Sequence, residues 1–265
     1  MRTTCEDISI GFDDSGQGPP VVLVHGMGED RSSWAEQAVA LHRQRRVVVP
    51  DVRGHGATSV GEPAGALDQL GNDLAGLLES VTGPADCVGF SLGGTIVLWV
   101  AANRPDLVNR VIVLGTSSVV GRSVAQRYRN RVALFESGDR TAVEQAIRAD
   151  TAAAVFRDDV DVDRLTAARL RAIGDGRGYC NAAAAMAGMH DMPLTPALPH
   201  IGQHVDVVGA EHDALCPRKA SDILVNAIPD ATYHEVAGAG HLVKVDQPDS
   251  VTALLHKLLG EEGTS

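Results

Sequence analysis

Aromatic side chains are scarce: Phe, Trp and Tyr make up 3% of the 265 residues. A core must then be built from Ala, Val, Leu and Ile, and a pocket is expected to have few aromatic walls. Long apolar runs are missing too. No stretch reaches the ~18 consecutive apolar residues that span a bilayer. Met1 to Asp7 turns acidic at once and has no apolar segment of a secretory leader. Cysteine is sparse and scattered. Cys5, Cys87, Cys180 and Cys216 show no CxxC pair and no Cys/His metal spacing, so they read as reduced thiols of a cytoplasmic protein with no metal site. Lysine occurs only as Lys219, Lys244 and Lys257. The formal net charge is -11, which argues against nucleic acid and anionic membrane as partners, since both call for a basic footprint. What remains is an ordinary globular composition, 44% hydrophobic with 28 glycines, long enough for one large domain carrying an insertion.

Short apolar runs punctuate the chain. Val21–Val24, Val47–Val49, Cys87–Phe90, Val111–Leu114 and Val205–Val208 are bounded by Gly, Pro or Asp and read as buried parallel strands. Tyr233–Val236 alternates and reads as a more exposed strand near the sheet edge. Helical spacing lies between them: Leu70, Leu74, Leu77 and Leu78; Thr95 to Ala102, apolar nearly all round; Ile223, Leu224 and Ala227; Val251, Leu254, Leu255 and Leu258. Strands alternating with helices predict an α/β fold with a mostly parallel sheet. The alternation stops between about 116 and 199. Ala- and Arg-rich helical spacing fills that stretch, and Met192 to Pro199 is a Pro-rich return. It reads as a helical insertion.

Gly89-Phe90-Ser91-Leu92-Gly93 is a G-x-S-x-G motif with a strand before it and a buried helix after it. Glycines flank such a serine because bulky neighbours would collide with the backbone of the sharp turn. The turn sets Ser91 at a helix N-terminus, where free N–H groups favour developing negative charge. A serine nucleophile needs a base. His241, in the Gly238–His241 loop past the last strand, is the leading one of ten histidines, and His25 is its competitor. The base needs a carboxylate to hold its tautomer. Asp213 lies in the loop after Val205–Val208, with Glu211 as the near alternative. In His25-Gly26-Met27-Gly28, the Met27 N–H would pair with the Leu92 N–H as an oxyanion hole.

Together His25–Gly28, Asp51-Val52-Arg53-Gly54-His55-Gly56, Gly89–Gly94, Gly209…Asp213…Pro217 and Gly240-His241 resemble the α/β-hydrolase superfamily. The order Ser91, Asp213, His241 matches that family's nucleophile, acid and base. The resemblance implies an eight-stranded, mostly parallel sheet with a helical cap inserted after the sixth strand. The core would be residues 1–115 and 200–265, and the cap 116–199. Trp99–Asn103 and Gly178–Ala183 look most like the 3-oxoadipate enol-lactonase-like hydrolases. An enol-lactone carrying carboxylates would want Arg in the cap. Because Arg is common throughout the chain, Arg122, Arg127, Arg129 and Arg131 read instead as a solvated face. Epoxide hydrolases and haloalkane dehalogenases of this fold use an Asp nucleophile, where this chain has Ser91. The implied activity is serine hydrolysis of a small-molecule ester or lactone through an acyl-enzyme, with no cofactor. Lyase, C–C hydrolase or acyltransferase chemistry, and a ligand-sensing regulator, are the alternatives. Gly26, Gly28, Tyr179, Met186, Met189, His190 and Met192 are expected to line an aliphatic substrate pocket.

Overall fold

The computed structural model describes residues 1–260. In chain order the elements are β1 (Arg2–Cys5), β2 (Ile8–Ser15), β3 (Pro20–Val24), α1 (Ala35–Leu41), β4 (Arg46–Pro50) and α2 (Leu67–Leu77). There follow β5 (Ala85–Phe90), α3 (Leu92–Asn103), β6 (Val108–Leu114), α4 (Arg122–Glu136), α5 (Arg140–Ala154), α6 (Val162–Ile173) and α7 (Arg177–Gly188). The chain closes with β7 (Val205–Ala210), α8 (Arg218–Ala227), β8 (Ala231–Val236), α9 (Val243–Asp246) and α10 (Pro248–Leu258). The eight strands form one sheet in the order β1-β2-β4-β3-β5-β6-β7-β8. β1 pairs antiparallel with β2 and β2 antiparallel with β4; the other neighbours are parallel.

The apolar runs are strands because helices cover both faces of the sheet. Successive side chains point to opposite faces. Val22, Val24, Cys87, Val111, Val113 and Val207 pack with Leu70, Leu74, Ile96 and Leu224 of α2, α3 and α8. Val21, Leu23, Val88, Phe90, Ile112 and Leu114 pack with Leu41, Val251 and Leu255 of α1 and α10. β8 is an edge strand and is half-exposed, as its alternation predicts. β1 and β2 carry a weaker sequence pattern. Ile8, Ile10 and Phe12 alternate inward, but acidic residues break up the rest of the stretch.

Between β6 and β7 lie α4 to α7 and a short turn, Thr195–His200. α4 packs on α7 and α5 on α6. Ile147, Ile173, Tyr179 and Ala183 form a small core there, edged by Tyr128, Val132, Phe135 and Leu170. Asp139 and Asp161 cap the starts of α5 and α6, accepting the N–H of Ala142 at 3.0 Å and of Arg164 at 2.9 Å. This helical body stands over the carboxyl ends of the parallel strands. Those ends carry the loops after β3, β5, β7 and β8, where open α/β sheets bind ligands. No helix among the described residues is long and apolar enough to cross a membrane.

Candidate active site

Ser91 sits between β5 and α3 with φ 52° and ψ -117°. Glu6 is the other described non-glycine residue at positive φ. That strain is tolerable only where the surroundings dictate the turn. They do so through glycines. A Cβ at Gly89 would come within 2.5 Å of the Gly93 backbone, and one at Gly93 would overlap the Val24 carbonyl. The turn aims the Ser91 hydroxyl at His241. His241 Nε2 is 3.0 Å from Ser91 Oγ, and His241 Nδ1 is 2.8 Å from Asp213 Oδ2. Asp213 Oδ1 accepts the N–H groups of Leu215 and Cys216, each at 2.8 Å. Burial alone would raise the Asp213 pKa, but the hydrogen bond and charge of His241 and the two N–H groups outweigh it. The acid is held below the usual carboxylate range. It stays ionised, and an ionised Asp213 fixes the proton on Nδ1 and leaves Nε2 free to accept one from Ser91. Cys216, Asp213 and His241 offer donor atoms within 4.8 Å of one another. Burial and the nearby Asp213 push the Cys216 thiol up.

The loop after β3 is held from several sides. His25 is fully buried; Val52 N–H donates to its Nε2 at 2.9 Å, and its Nδ1 lies 2.8 Å from the Gly26 carbonyl. His55 Nε2 accepts the Gly28 N–H at 3.4 Å. Burial lowers the pKa of both rings, that of His55 to about 3, so both are neutral hydrogen-bonding struts. This accounts for His25 as a support of the loop, with His241 in contact with Ser91. Arg53 of the same motif, buried between Asp73 and Asp7, is a structural tie. No acceptor among the described residues takes the N–H of Met27 or of Leu92. Sequence reasoning misses Asp246. It is fully buried and accepts the N–H of Gly240 at 2.8 Å, of Phe156 at 3.0 Å and of Arg157 at 3.1 Å. It joins the histidine loop to the chain between α5 and α6. The available signal is an acid five residues past His241.

Residues 19–248 match the family model for the alpha/beta hydrolase fold. The chain belongs to the α/β-hydrolase family. Among curated relatives it is similar to 3-oxoadipate enol-lactonase 2 of Acinetobacter baylyi, 28% identical over 93% of this chain and 91% of that one. It is also 28% identical to the pimeloyl-[acyl-carrier protein] methyl ester esterase of Aromatoleum aromaticum, over 91% and 98% of the two chains. In three dimensions it resembles the enol-lactonase of Burkholderia xenovorans, with a TM-score of 0.87 and 25% identity over 98% of this chain and 100% of that one. A thermophilic esterase from Thermogutta terrifontis superposes with a TM-score of 0.83, 26% identical over 98% of both chains.

A cavity of about 100 Å³ lies over Ser91 and His241. Met27, Phe90 and Leu242 wall it from the core, with Leu215 at the side. Val124, Arg127 and Tyr128 of α4, Asp150 and Ala153 of α5, Arg169 of α6 and Tyr179 of α7 close it from above. Of the expected lining residues outside the glycine loop, only Tyr179 is there. Met186 on α7 and Met189 just past its end are buried in the main core, because that side of the helix turns towards the sheet helices. His190 Nδ1 lies 3.1 Å from the Val120 carbonyl, and Met192 is 80% exposed. Gly26 lies against the Phe90 ring and Gly28 beneath the Arg169 guanidinium; neither is among the cavity residues. The expected aliphatic lining is present as Met27, Val124, Ala153, Ala154, Leu215 and Leu242, but aromatic rings share the cavity. Phe90, Tyr128 and Tyr179 wall it, from a chain with only 4 Phe, 3 Tyr and 2 Trp. Arg127, expected on a solvated face, is exposed but also borders the cavity. Arg169 donates to the Met27 carbonyl and to Thr151 Oγ1, each at 3.2 Å, while its buried Nε has no acceptor among the described residues.

Proposed function

We propose that this protein hydrolyses a carboxylic ester or lactone of a small molecule through an acyl-enzyme on Ser91. The observation that carries the proposal is the hydrogen-bonded chain Ser91–His241–Asp213, at 3.0 and 2.8 Å, opening on a cavity. His241 Nε2 takes the Ser91 proton as Oγ attacks the carbonyl carbon. The N–H groups of Met27 and Leu92 receive the oxyanion, and Asp213 stabilises the imidazolium. His241 then gives its proton to the leaving alkoxide or enolate. Water, deprotonated by His241, adds to the acyl-enzyme and releases the acid and free Ser91. In a lactone the leaving oxygen stays tethered to the acyl group. The relatives named as an enol-lactonase and a methyl ester esterase support this class.

The helical body of residues 116–199 acts as a lid that keeps bulk water from the acyl-enzyme. The cavity of about 100 Å³ over Ser91 and His241 is where the acyl group would sit. The four cysteines are unpaired, which supports a reducing, cytoplasmic setting. Fluorophosphonate labelling, followed by p-nitrophenyl acetate and a lactone panel, tests the proposal. Ser91 is expected to carry the label, the ester to give a burst, and Ser91→Ala to lose about 10⁵- to 10⁶-fold in kcat. An unlabelled Ser91 with no turnover on the whole panel would refute it.

A further inference from the structure

Lys244 is buried where three loops meet. It is 6% exposed, and its partner Glu29 is 8% exposed. Lys244 Nζ lies 3.2 Å from Glu29 Oε2 and 3.0 Å from Ser33 Oγ. The ammonium sits 4.0 Å from the centre of the Trp34 ring and 4.8 Å from that of Phe90, both within cation–π range. Phe90 immediately precedes Ser91, and its ring centre is 5.1 Å from that of His241. Lys244 itself stands three residues past His241, whose carbonyl accepts the Val243 N–H at 2.8 Å.

Glu29 grips the residue before the Met27 N–H from both ends. Its Oε2 accepts the Gly26 N–H at 3.0 Å. Its backbone N–H donates to the Gly26 carbonyl at 3.2 Å. The Gly26 carbonyl and the Met27 N–H belong to one planar peptide, so fixing the first fixes the direction of the second. Two charges are costly to bury, and an apolar pair of similar volume often stabilises a fold as well or better. Stability alone therefore gives no reason for this pair. A fixed angle between loops does.

Resting on the hydrolase reading above, we propose that the Lys244–Glu29 pair is a positioning device that locks the Gly26–Met27 peptide to the histidine loop. The donor to the oxyanion and the base then hold one mutual geometry throughout the reaction. Neither residue touches the reacting atoms.

The double variant Glu29→Leu/Lys244→Met removes both charges together and leaves no unpaired buried ion. Its melting temperature is expected near that of the wild type. Its kcat on p-nitrophenyl acetate is expected to fall about ten- to hundredfold, with KM within about threefold, as for a loop displaced on the scale of an ångström. Lys244→Arg keeps a cation within reach of Glu29 and is expected to retain most of kcat. Glu29→Gln, which keeps the shape and a neutral acceptor, carries the same kcat-against-KM test if the double variant does not fold. A folded variant with kcat within about twofold of wild type, or a loss confined to KM, overturns the proposal. Wild-type labelling separates the two ideas. A wild-type Ser91 that neither labels nor turns over substrate sinks the hydrolase reading, and this role with it. A labelled wild type with an unimpaired double variant sinks this role alone.

Discussion

The two walls of the cavity are built by different rules. The lower wall is made of strand-end loops whose backbone groups are tied to buried side chains: His25, His55, Glu29, Asp213 and Asp246. Gly89, Gly93 and Gly240 stand where a Cβ would meet backbone. The upper wall is a set of helices held by a small apolar cluster and by exposed ion pairs such as Arg148–Asp163 at 2.7 Å. The lower wall fixes angles, and the upper wall fills space. On the proposed reading, chemistry needs the first, and the choice of acyl group can be altered through the second.

Glycine-to-alanine exchanges put that contrast at risk most directly. Gly93→Ala sets a methyl group against the Val24 and His25 carbonyls. It is expected to destabilise by about 2–4 kcal/mol and to abolish activity, since overpacking forces the backbone to shift. Urea unfolding gives the first number and ester turnover the second. A silent Gly93→Ala would show that the lower wall is softer than its contacts imply.

Acid should also act on the lower wall first. Burial lowers the pKa of His25 and His55, that of His55 from 6.5 to about 3. Between those two values the unfolded chain binds the His55 proton and the folded one does not. Stability is therefore full above about pH 6.5 and is lost as pH falls toward 3. Glu29, held at about 2 against an ordinary 4.5, adds its own loss below about 4.5. Thermal melts across this range check the sign, and His55→Gln is expected to flatten the slope between pH 6.5 and 4.5. An unchanged slope would remove His55 from the account.

In the upper wall the expected effects are small or favourable. Gly188 ends α7 where an added methyl group would meet nothing within 4 Å, and it needs no positive φ. Gly188→Ala is expected to stabilise by up to about 1 kcal/mol with turnover unchanged. Arg148→Ala, which breaks a solvent-exposed pair, should change stability by less than about 0.5 kcal/mol. Loss of more than that at Arg148, measured by the same denaturant titration, would mean the helical body depends on its ion pairs.

The same contrast explains what is legible in the sequence. β3 to β7 can be read because strands covered on both faces run apolar without interruption. Ser91 and Asp213 can be named because each follows such a strand by a short loop, and His241 because a short glycine loop carries it past the alternating edge strand β8. β1 and β2 are harder, since only one face is buried and Asp13, Asp14 and Ser15 mask the period of two. The upper wall is largely illegible. Val124, Arg127 and Tyr128 share one helix face, as do Asp150 and Ala153, yet spacing says nothing about which face meets the cavity. Met186 and Met189 have the softness and size of pocket residues, and the fold buries them in the main core instead. Asp246 and Glu29 carry no motif of their own; their roles come from partners far away in the chain.

The burial of Lys244 has a practical side. Of the three lysines, Lys219 on α8 and Lys257 on α10 are exposed, and neither borders the cavity. Amine-reactive dyes and resins therefore meet two side chains on the outside of the sheet helices and are shut out from the third. The protein can be tethered through its lysines with the three loops left untouched.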